Sequence, residues 1–298
     1  MALSRAALSP AQVRAIAAAW DRRLDGEPAP LSGGEEAACY RLGQTVVRVG
    51  PPWRTCREAR WCYSLAARAS GAVAQALAPI PARSGAVVAR VEGRPVSLWP
   101  LVQGAWLDRD SASQCAQAAA LLGRLHRALA RLRVPVRPAV SVLDWRWAGA
   151  AAYEPAAFAD PALDRWLAEF HRGRAVQPLH GDFYRGNLLV AGGEIVALID
   201  WDDAFMGPPE VEVASAAREL GSRWGADLGP ARRIVDAYRE AGGPAMIADD
   251  EALAQLIRHR LRREAAYQEL EQARGRAMEA GDRTYRDQLL DLFRRLRP

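Results

Sequence analysis

The sequence predicts an α+β chain, with a small antiparallel sheet in its first third and a larger, mainly helical region after it. Three observations carry this. Between residues 30 and 100, short β-prone runs such as "CYRLGQTVVRVG" and "GAVVARVEGRPVSLWP" alternate and are broken by Gly and Pro. From residue 110 onward, Cys115, Ala118, Leu122, Leu125, Leu129 and Leu132 recur at three-four spacing and mark a long helix with one buried face. Within the helical half, "NLLVAGGEIVALID" places two apolar runs on either side of Gly192-Gly193, the signal of a tight β-hairpin.

The remaining elements follow in order. "SPAQVRAIAAAWDRRL" predicts a capped amphipathic helix, with Ser9 as N-cap, Pro10 in the first turn, and Val13, Ile16, Ala17, Trp20 and Leu24 on one face. A second helix is expected over about 54–69. Residues 148–164, rich in Ala and Pro, read as an irregular connection, and helical text resumes from about 210 to the end. No internal repeat has a solenoid period.

Half of the 298 residues are hydrophobic and a quarter are charged, ordinary for a globular protein that buries a substantial core. A net charge of +5 helps attract phosphate-bearing ligands but is too dilute for a nucleic-acid platform. The stretch "RHRLRRE" at 258–264 reads as a solvated helical face. The four Cys show no metal-binding or paired spacing and read as small apolar fillers in a reducing compartment. With no signal-peptide core and no run of membrane-spanning length, a cytoplasmic location and no membrane partner are expected.

The chemistry concentrates in "LHGDFYRGN" (179–187) and "LIDWDD" (198–203). Asn187 is the only Asn in the chain, and there is no Lys, so all 40 basic residues are Arg. An Asn retained in so biased a composition is a functional suspect. With a two-residue turn at Gly192-Gly193, Ala191 faces Glu194 and Asn187 faces Leu198, so Asp200 lies two residues beyond the position opposite Asn187. At the strand spacing of about 4.8 Å, the two side chains come within reach of one ion. An amide oxygen and a carboxylate suit Mg²⁺, which completes its shell with water and phosphate oxygens. Asp182, on the loop entering the hairpin, could accept a proton from an attacking hydroxyl or hold it in line with phosphorus. The spacing D-x-x-x-x-N followed by a later Asp matches a kinase catalytic loop and metal-binding Asp.

"LHGDFYRGNLLV" followed by "ALIDWDDAFMGPP" resembles the aminoglycoside phosphotransferase and choline kinase superfamily, specifically over about 178–215 and more loosely over 30–270. The resemblance implies a bilobal protein-kinase-like fold, with a nucleotide-binding lobe over 1–102 and a catalytic, substrate-binding lobe over 103–298. It implies that Asp182 is the catalytic Asp, that Asn187 and Asp200 hold Mg²⁺, and that His180 braces the loop, proton transfer by His180 being the alternative. "LSGGEEAACYRL" falls where a phosphate-covering loop is expected, with Gly33 and Gly34 allowing close backbone approach, although a plain turn explains two glycines equally well. "TVVRVG" resembles the strand that usually presents a phosphate-binding Lys; here the residue is Arg48, and Glu58 on the next helix is its expected ion-pair partner. "SLWPLVQG" resembles the linker between lobes, where the backbone around Pro100 and Val102 would meet the nucleobase.

Other residues admit bland readings. His126 reads as a satisfied core residue, and His171 and His259 as surface residues. Trp201 reads as packing rather than a stacking platform. Asp202 and Asp203 could add ligands, meet a cationic substrate, or belong to a solvated loop. Glu210 and Glu212 stand where a loop-buttressing Asp is often found, and that assignment stays open. The implied reaction is Mg²⁺-assisted transfer of the γ-phosphoryl of ATP or GTP to a hydroxyl of a small molecule, such as an aminoglycoside or other antibiotic, an amino alcohol or a sugar. Two other classes compete: a nucleotide-binding pseudokinase module, favoured by Arg in place of Lys, and a metal-dependent phosphohydrolase, which would need a denser ligand cluster. The chain is expected to act as a monomer or homodimer.

Overall fold

The computed structural model describes residues 8–31, 37–138 and 152–297. The opening helix α1 (Pro10–Trp20) starts where Ser9 accepts the backbone N–H of Gln12 and the Gln12 side chain answers to the Ser9 N–H. Ile16 and Trp20 bury its apolar face. Strands β1 (Ala29–Leu31), β2 (Ala38–Leu42), β3 (Thr45–Val49), β4 (Ala89–Val91) and β5 (Arg94–Pro100) form one sheet in the order β1-β2-β3-β5-β4, every pair antiparallel. This is the small sheet expected from the alternating early text. Gly33 and Gly34 lie outside the described residues.

Helix α2 (Cys56–Ser70) crosses from the sheet toward the helical region. Trp61, Tyr63 and Leu65 on it belong to the same apolar cluster as the core of the second lobe. Two further strands follow: β6 (Ala105–Trp106), then, after helix α3 (Ala112–Leu129) and helix α4 (Pro161–Phe170), β7 (Gln177–Leu179). The three-four seam of α3 is buried from Cys115 to Leu129, and His126 is buried with it.

The hairpin is β8 (Leu188–Ala191) and β9 (Glu194–Leu198), turned by Gly192 and Gly193, whose φ values of 59° and 83° lie in the left-handed region that glycine enters at no steric cost. Its register differs from the expectation by one residue. Ala191 pairs with Glu194 and Val190 with Ile195, but Leu189 then pairs with Ala197 and Leu188 with Leu198. Val196 is an extra, unpaired residue, a β-bulge that moves everything beyond it by one position. Asn187 therefore meets Ile199, whose N–H donates to the Asn187 carbonyl at 2.9 Å. Asp200 stands one residue past that contact, not two.

Strand β10 (Phe205–Gly207) pairs with β7, and helices α5 (Pro209–Ala217), α6 (Gly229–Glu240), α7 (Asp250–Ala273) and α8 (Ala280–Arg295) complete the second lobe. The fold is thus a bilobal, kinase-like α+β arrangement. Among the described residues, no helix is long and apolar enough to cross a membrane.

The stretch 258–264 does not behave as a solvated face. Arg258, His259, Arg262, Arg263 and Glu264 are all buried, with Arg258 only 1% exposed. Their partners carry the opposite charge: the carboxylates of Asp160 and Asp164 meet Arg258 and Arg262, and the Glu264 carboxylate meets Arg218 from α5's end and Arg260 one turn before it. His259, expected at the surface, is 4% exposed, and burial together with the neighbouring guanidinium groups pushes its pKa far down.

Candidate active site

The loop 180–187 between β7 and β8 is held from below. Glu212, near the start of α5, accepts the backbone N–H of Gly181 at 2.5 Å and that of His180 at 3.2 Å. The same carboxylate meets His126 Nε2 at 2.7 Å, while His126 Nδ1 faces the Tyr238 hydroxyl at 3.0 Å. Burial alone would raise the Glu212 carboxyl, but the His126 hydrogen bond and the charges around it keep the group below its ordinary range. Of the two glutamates left open by the sequence, Glu212 buttresses the loop. Glu210 instead pairs with Arg174 and accepts the Met246 N–H.

His180 makes bracing contacts on both sides. Its Nε2 lies 3.0 Å from the Ile199 carbonyl, and its Nδ1 accepts the Asp182 N–H at 3.3 Å. Burial lowers its pKa, which favours the neutral ring that these two contacts require. Trp201, fully buried, packs edge-on against it with ring centroids 4.8 Å apart. Gly181 has φ 90°, and a Cβ there would stand 2.0 Å from the Asp203 carbonyl oxygen, so no other residue fits.

Asn187 donates its Nδ2 to the Asp182 carbonyl at 2.8 Å and to Asp182 Oδ2 at 3.0 Å. Both amide protons are thereby engaged, which leaves Oδ1 as the face offered to a cation. Asp182 Oδ1 accepts from Arg260 Nη2 at 3.1 Å, and Arg260 Nη1 donates to the Gly181 carbonyl. A carboxylate has about four acceptor positions, so Asp182 can still receive a hydroxyl. Burial lifts its carboxyl to about 7, against the downward pull of Arg260. Arg260 comes from α7, 78 residues away, and sequence reasoning missed it. Asp200 has φ 60°, a left-handed conformation that a short polar side chain tolerates and that recurs at functional sites. Among the described residues, no three His, Cys, Asp or Glu side chains gather to hold a metal alone. An Asn–Asp pair completed by phosphate oxygens is the donor set that Mg²⁺ takes in such sites.

Arg48 and Glu58 are not partners. Glu58 closes a capping box at the start of α2: its Oε2 accepts the Thr55 N–H at 2.8 Å, and its own N–H donates to Thr55 Oγ1 at 3.2 Å. The physical reason is local, because a Glu three residues after a Thr N-cap has a backbone donor within immediate reach. Arg48 turns the other way, across the cleft. Its Nη2 donates to Asp200 Oδ1 at 2.8 Å and to Asp202 Oδ2 at 2.6 Å. Asp202 is buried, and its Oδ1 accepts the Tyr63 hydroxyl at 2.7 Å, so a residue of α2 does reach the pair, but as a hydroxyl. Arg54 and Arg137 fix the Asp202 carbonyl. Asp202 is thus the counter-ion of Arg48.

Two cavities open onto this assembly. One, of about 270 Å³, is mainly apolar and lies between the sheet and the hairpin; Val46, Leu77, Trp99, Leu189 and Ile199 line it, with Pro100 and Val102 at the exit from β5. The other, of about 380 Å³, is polar and is lined by Asp182, Asp202 and Asp203 together with Ser215, Arg218, Arg260 and Glu264. The two share three lining residues: Arg48, Asn187 and Asp200.

Comparison with known proteins gives a consistent picture. The model of a family described as "Phosphotransferase enzyme family" matches residues 27–256. The homoserine kinase of Pseudomonas aeruginosa is 31% identical over 167 residues, 52% of each chain, and that of Rhizobium etli is 25% identical over 131 residues. The chain thus spans about half the length of the curated relatives it matches. Among solved structures, a microcompartment-associated aminopropanol kinase superposes with a TM-score of 0.73 at 20% identity, covering 96% of both chains. An amicoumacin kinase in complex with AMP-PNP and Ca²⁺ gives 0.68 at 16% identity, covering 96% of this chain and 93% of that one. With more than two thirds of its length matched by the family model and the kinase-like fold in place, this chain belongs to the phosphotransferase enzyme family.

Proposed function

We propose that the chain transfers the γ-phosphoryl group of ATP or GTP to a hydroxyl of a small molecule. The observation that carries this reading is the meeting of an apolar and a polar cavity at Arg48, Asn187 and Asp200. A nucleobase fits the apolar cavity beside Pro100 and Val102, and its phosphates point toward the shared corner. The acceptor fits the polar cavity with its hydroxyl at Asp182. A divalent ion held by Asn187 and Asp200 would neutralise charge on the phosphates.

The chain's own residues then have distinct tasks. Arg48 meets phosphate oxygens with a fixed positive charge. Asp182 orients the acceptor hydroxyl and takes its proton as the oxygen bonds to phosphorus and the bond to the bridging oxygen of the leaving diphosphate breaks. Arg260 holds Asp182 in place, while Glu212 and His180 fix the loop that carries it. The work is positioning and charge neutralisation, with no covalent enzyme intermediate. Asp203 lines the acceptor cavity.

Acceptor-dependent ADP release with Mg²⁺, screened over amino alcohols, sugars and several antibiotic classes, tests the reaction. Nucleotide binding with no release from any acceptor would favour the pseudokinase module, for which the engagement of Arg48 by Asp200 is the supporting observation. Phosphate release that needs no acceptor would favour hydrolysis.

The exchange of ion-pair partners gives a second test. Asp202→Asn should weaken nucleotide binding about 10- to 100-fold, because Arg48 loses the group that holds it at the cleft. Glu58→Ala should leave nucleotide affinity alone and cost about 1 kcal/mol of stability through the lost cap. Titration with a fluorescent nucleotide analogue and urea unfolding separate the two. The opposite pattern would return the role to Glu58.

A further inference from the structure

Helix α2 offers Arg48 no carboxylate, because Glu58 is closed into its capping box. What α2 does bring to the site is Tyr63, on the buried face that also carries Ala59, Cys62 and Ala66. The Tyr63 hydroxyl donates to Asp202 Oδ1 at 2.7 Å. Burial, together with the Asp202 charge beside it, keeps this phenol protonated and therefore a donor.

Asp202 is a node in this part of the fold. Its Oδ2 accepts from Arg48 Nη2 at 2.6 Å, and its carbonyl accepts from Arg54 Nη1 at 2.7 Å, Arg137 Nη2 at 3.1 Å and the Cys62 thiol at 3.4 Å. Its own N–H donates to Asp200 Oδ1 at 3.4 Å, the oxygen that Arg48 Nη2 reaches at 2.8 Å. A chain of hydrogen bonds thus runs from Tyr63 through Asp202 and Arg48 to Asp200. Among the described residues both donors to the Asp200 carboxylate meet Oδ1, so Oδ2 is the oxygen left for a cation.

Where Arg48 points depends on what Asp202 is allowed to do. A carboxylate and a guanidinium favour two parallel hydrogen bonds, fork to fork. Such a clamp would give Arg48 to Asp202 and draw it away from Asp200. The Tyr63 hydroxyl competes for Oδ1, and Arg48 Nη2 is shared between the two acids instead. Tyr63 is itself held: it is buried, and its ring meets that of Trp99 edge-on with centroids 5.1 Å apart. Both residues line the apolar cavity, so the hydroxyl is aimed from a packed wall.

Resting on the phosphotransfer reading, we propose that Tyr63 is a positioning residue for phosphate binding: its hydroxyl fixes Asp202, and Asp202 then holds Arg48 beside Asp200 where the two cavities meet. A tyrosine on α2 does through a carboxylate on the opposite strand segment what an acid on α2 would do directly.

Ligand pairs that differ only in phosphate test this: ADP against adenosine, and GDP against guanosine, each titrated by calorimetry with Mg²⁺. In Tyr63→Phe, which keeps the ring and its contact with Trp99, the diphosphates should bind about 10-fold more weakly, the usual cost of losing the group that orients a ligand-binding residue. The nucleosides should bind as they do to the wild type. Because the hydroxyl acts through Asp202, adding Tyr63→Phe to Asp202→Asn should change diphosphate affinity by less than about twofold. Trp61→Phe removes a different tie of α2, the indole N–H to the Pro135 carbonyl at 2.8 Å, and should leave all four affinities unchanged. An equal loss on nucleosides and diphosphates, a full loss in the Asp202→Asn background, the same phosphate-dependent loss in Trp61→Phe, or no loss in Tyr63→Phe overturns the proposal. So does a wild type that binds the diphosphates no better than the nucleosides. A phosphate-dependent loss in a protein that releases ADP with no acceptor offered to it would keep the role of Tyr63 and refute the transfer reading. Acceptor-dependent ADP release with unchanged affinities in Tyr63→Phe would keep transfer and refute the role.

Discussion

Asp182→Asn is expected to lower acceptor-dependent ADP release by about 10²- to 10⁴-fold, the usual contribution of a positioned general base. Nucleotide affinity should stay close to that of the wild type, because the proposed reading assigns phosphate binding to Arg48, Asn187 and Asp200. The substitution preserves volume but removes the proton acceptor. It also replaces one carboxylate oxygen by an NH₂ group at a position where Arg260 donates to Oδ1 and Asn187 to Oδ2, so one donor must now confront another. Steady-state ADP release alongside a nucleotide titration separates chemistry from binding. Undiminished turnover would remove Asp182 from the mechanism.

The largest effect on stability is expected far from this corner, at Asp160. Its Oδ1 accepts the Ala162 and Leu163 N–H groups and caps α4, while its Oδ2 accepts from Arg258 of α7 and from Arg297. Arg258, 1% exposed, also donates to the Phe293 carbonyl in α8. Asp160→Ala would strand that guanidinium in the core, at a cost of about 3–5 kcal/mol. Urea unfolding at neutral pH measures this directly, and a loss below about 1 kcal/mol, the value of an ordinary cap, would refute the account.

Asp160 also predicts an acid response. Burial pushes its carboxyl up, but the Arg258 hydrogen bond, the Leu163 N–H and Arg297 together hold it well below the usual carboxylate range. A depressed value in the folded state means that the stabilisation is complete above about pH 4, where an unfolded Asp is ionised. It is lost progressively as the pH falls from there through the folded value. Stability measured downward from pH 5 should therefore fall more steeply in the wild type than in Asp160→Ala.

The parts of the molecule legible in the sequence are those whose causes are local. The Gly192-Gly193 turn, the Ser9 cap and the Cys115–Leu129 seam each depend on residues a few positions apart. The hairpin register was readable only as far as Val196, because nothing in "EIVAL" marks which residue will bulge. The Arg48–Glu58 pair failed because a residue with two possible partners takes the one the folded geometry offers first. For Glu58 that was Thr55; for Arg48 it was a pair of carboxylates some 150 residues away. The stretch 258–264 is opaque for a related reason. Buried guanidinium groups look the same in sequence as solvated ones, and their partners Asp160, Asp164 and Asp182 lie on segments that only the fold brings near. A usable signal was present in the helix itself: Leu253, Leu256, Ile257 and Leu261 leave little room for a fully exposed face among the arginines between them.

The guanidinium of Arg48, where the proposed reading sets the phosphates, also decides which reagents can find this protein. Acyl-phosphate nucleotide probes tag a primary amine beside the bound phosphates, and this chain has no Lys to offer one. Profiling experiments built on that chemistry would pass over it even if it binds nucleotide well. Cys39, opposite Arg48 in the sheet and lining the apolar cavity, supplies a different handle. Its thiol is held protonated by burial, so a slow, soft electrophile carried on a purine-like scaffold is the label that suits it.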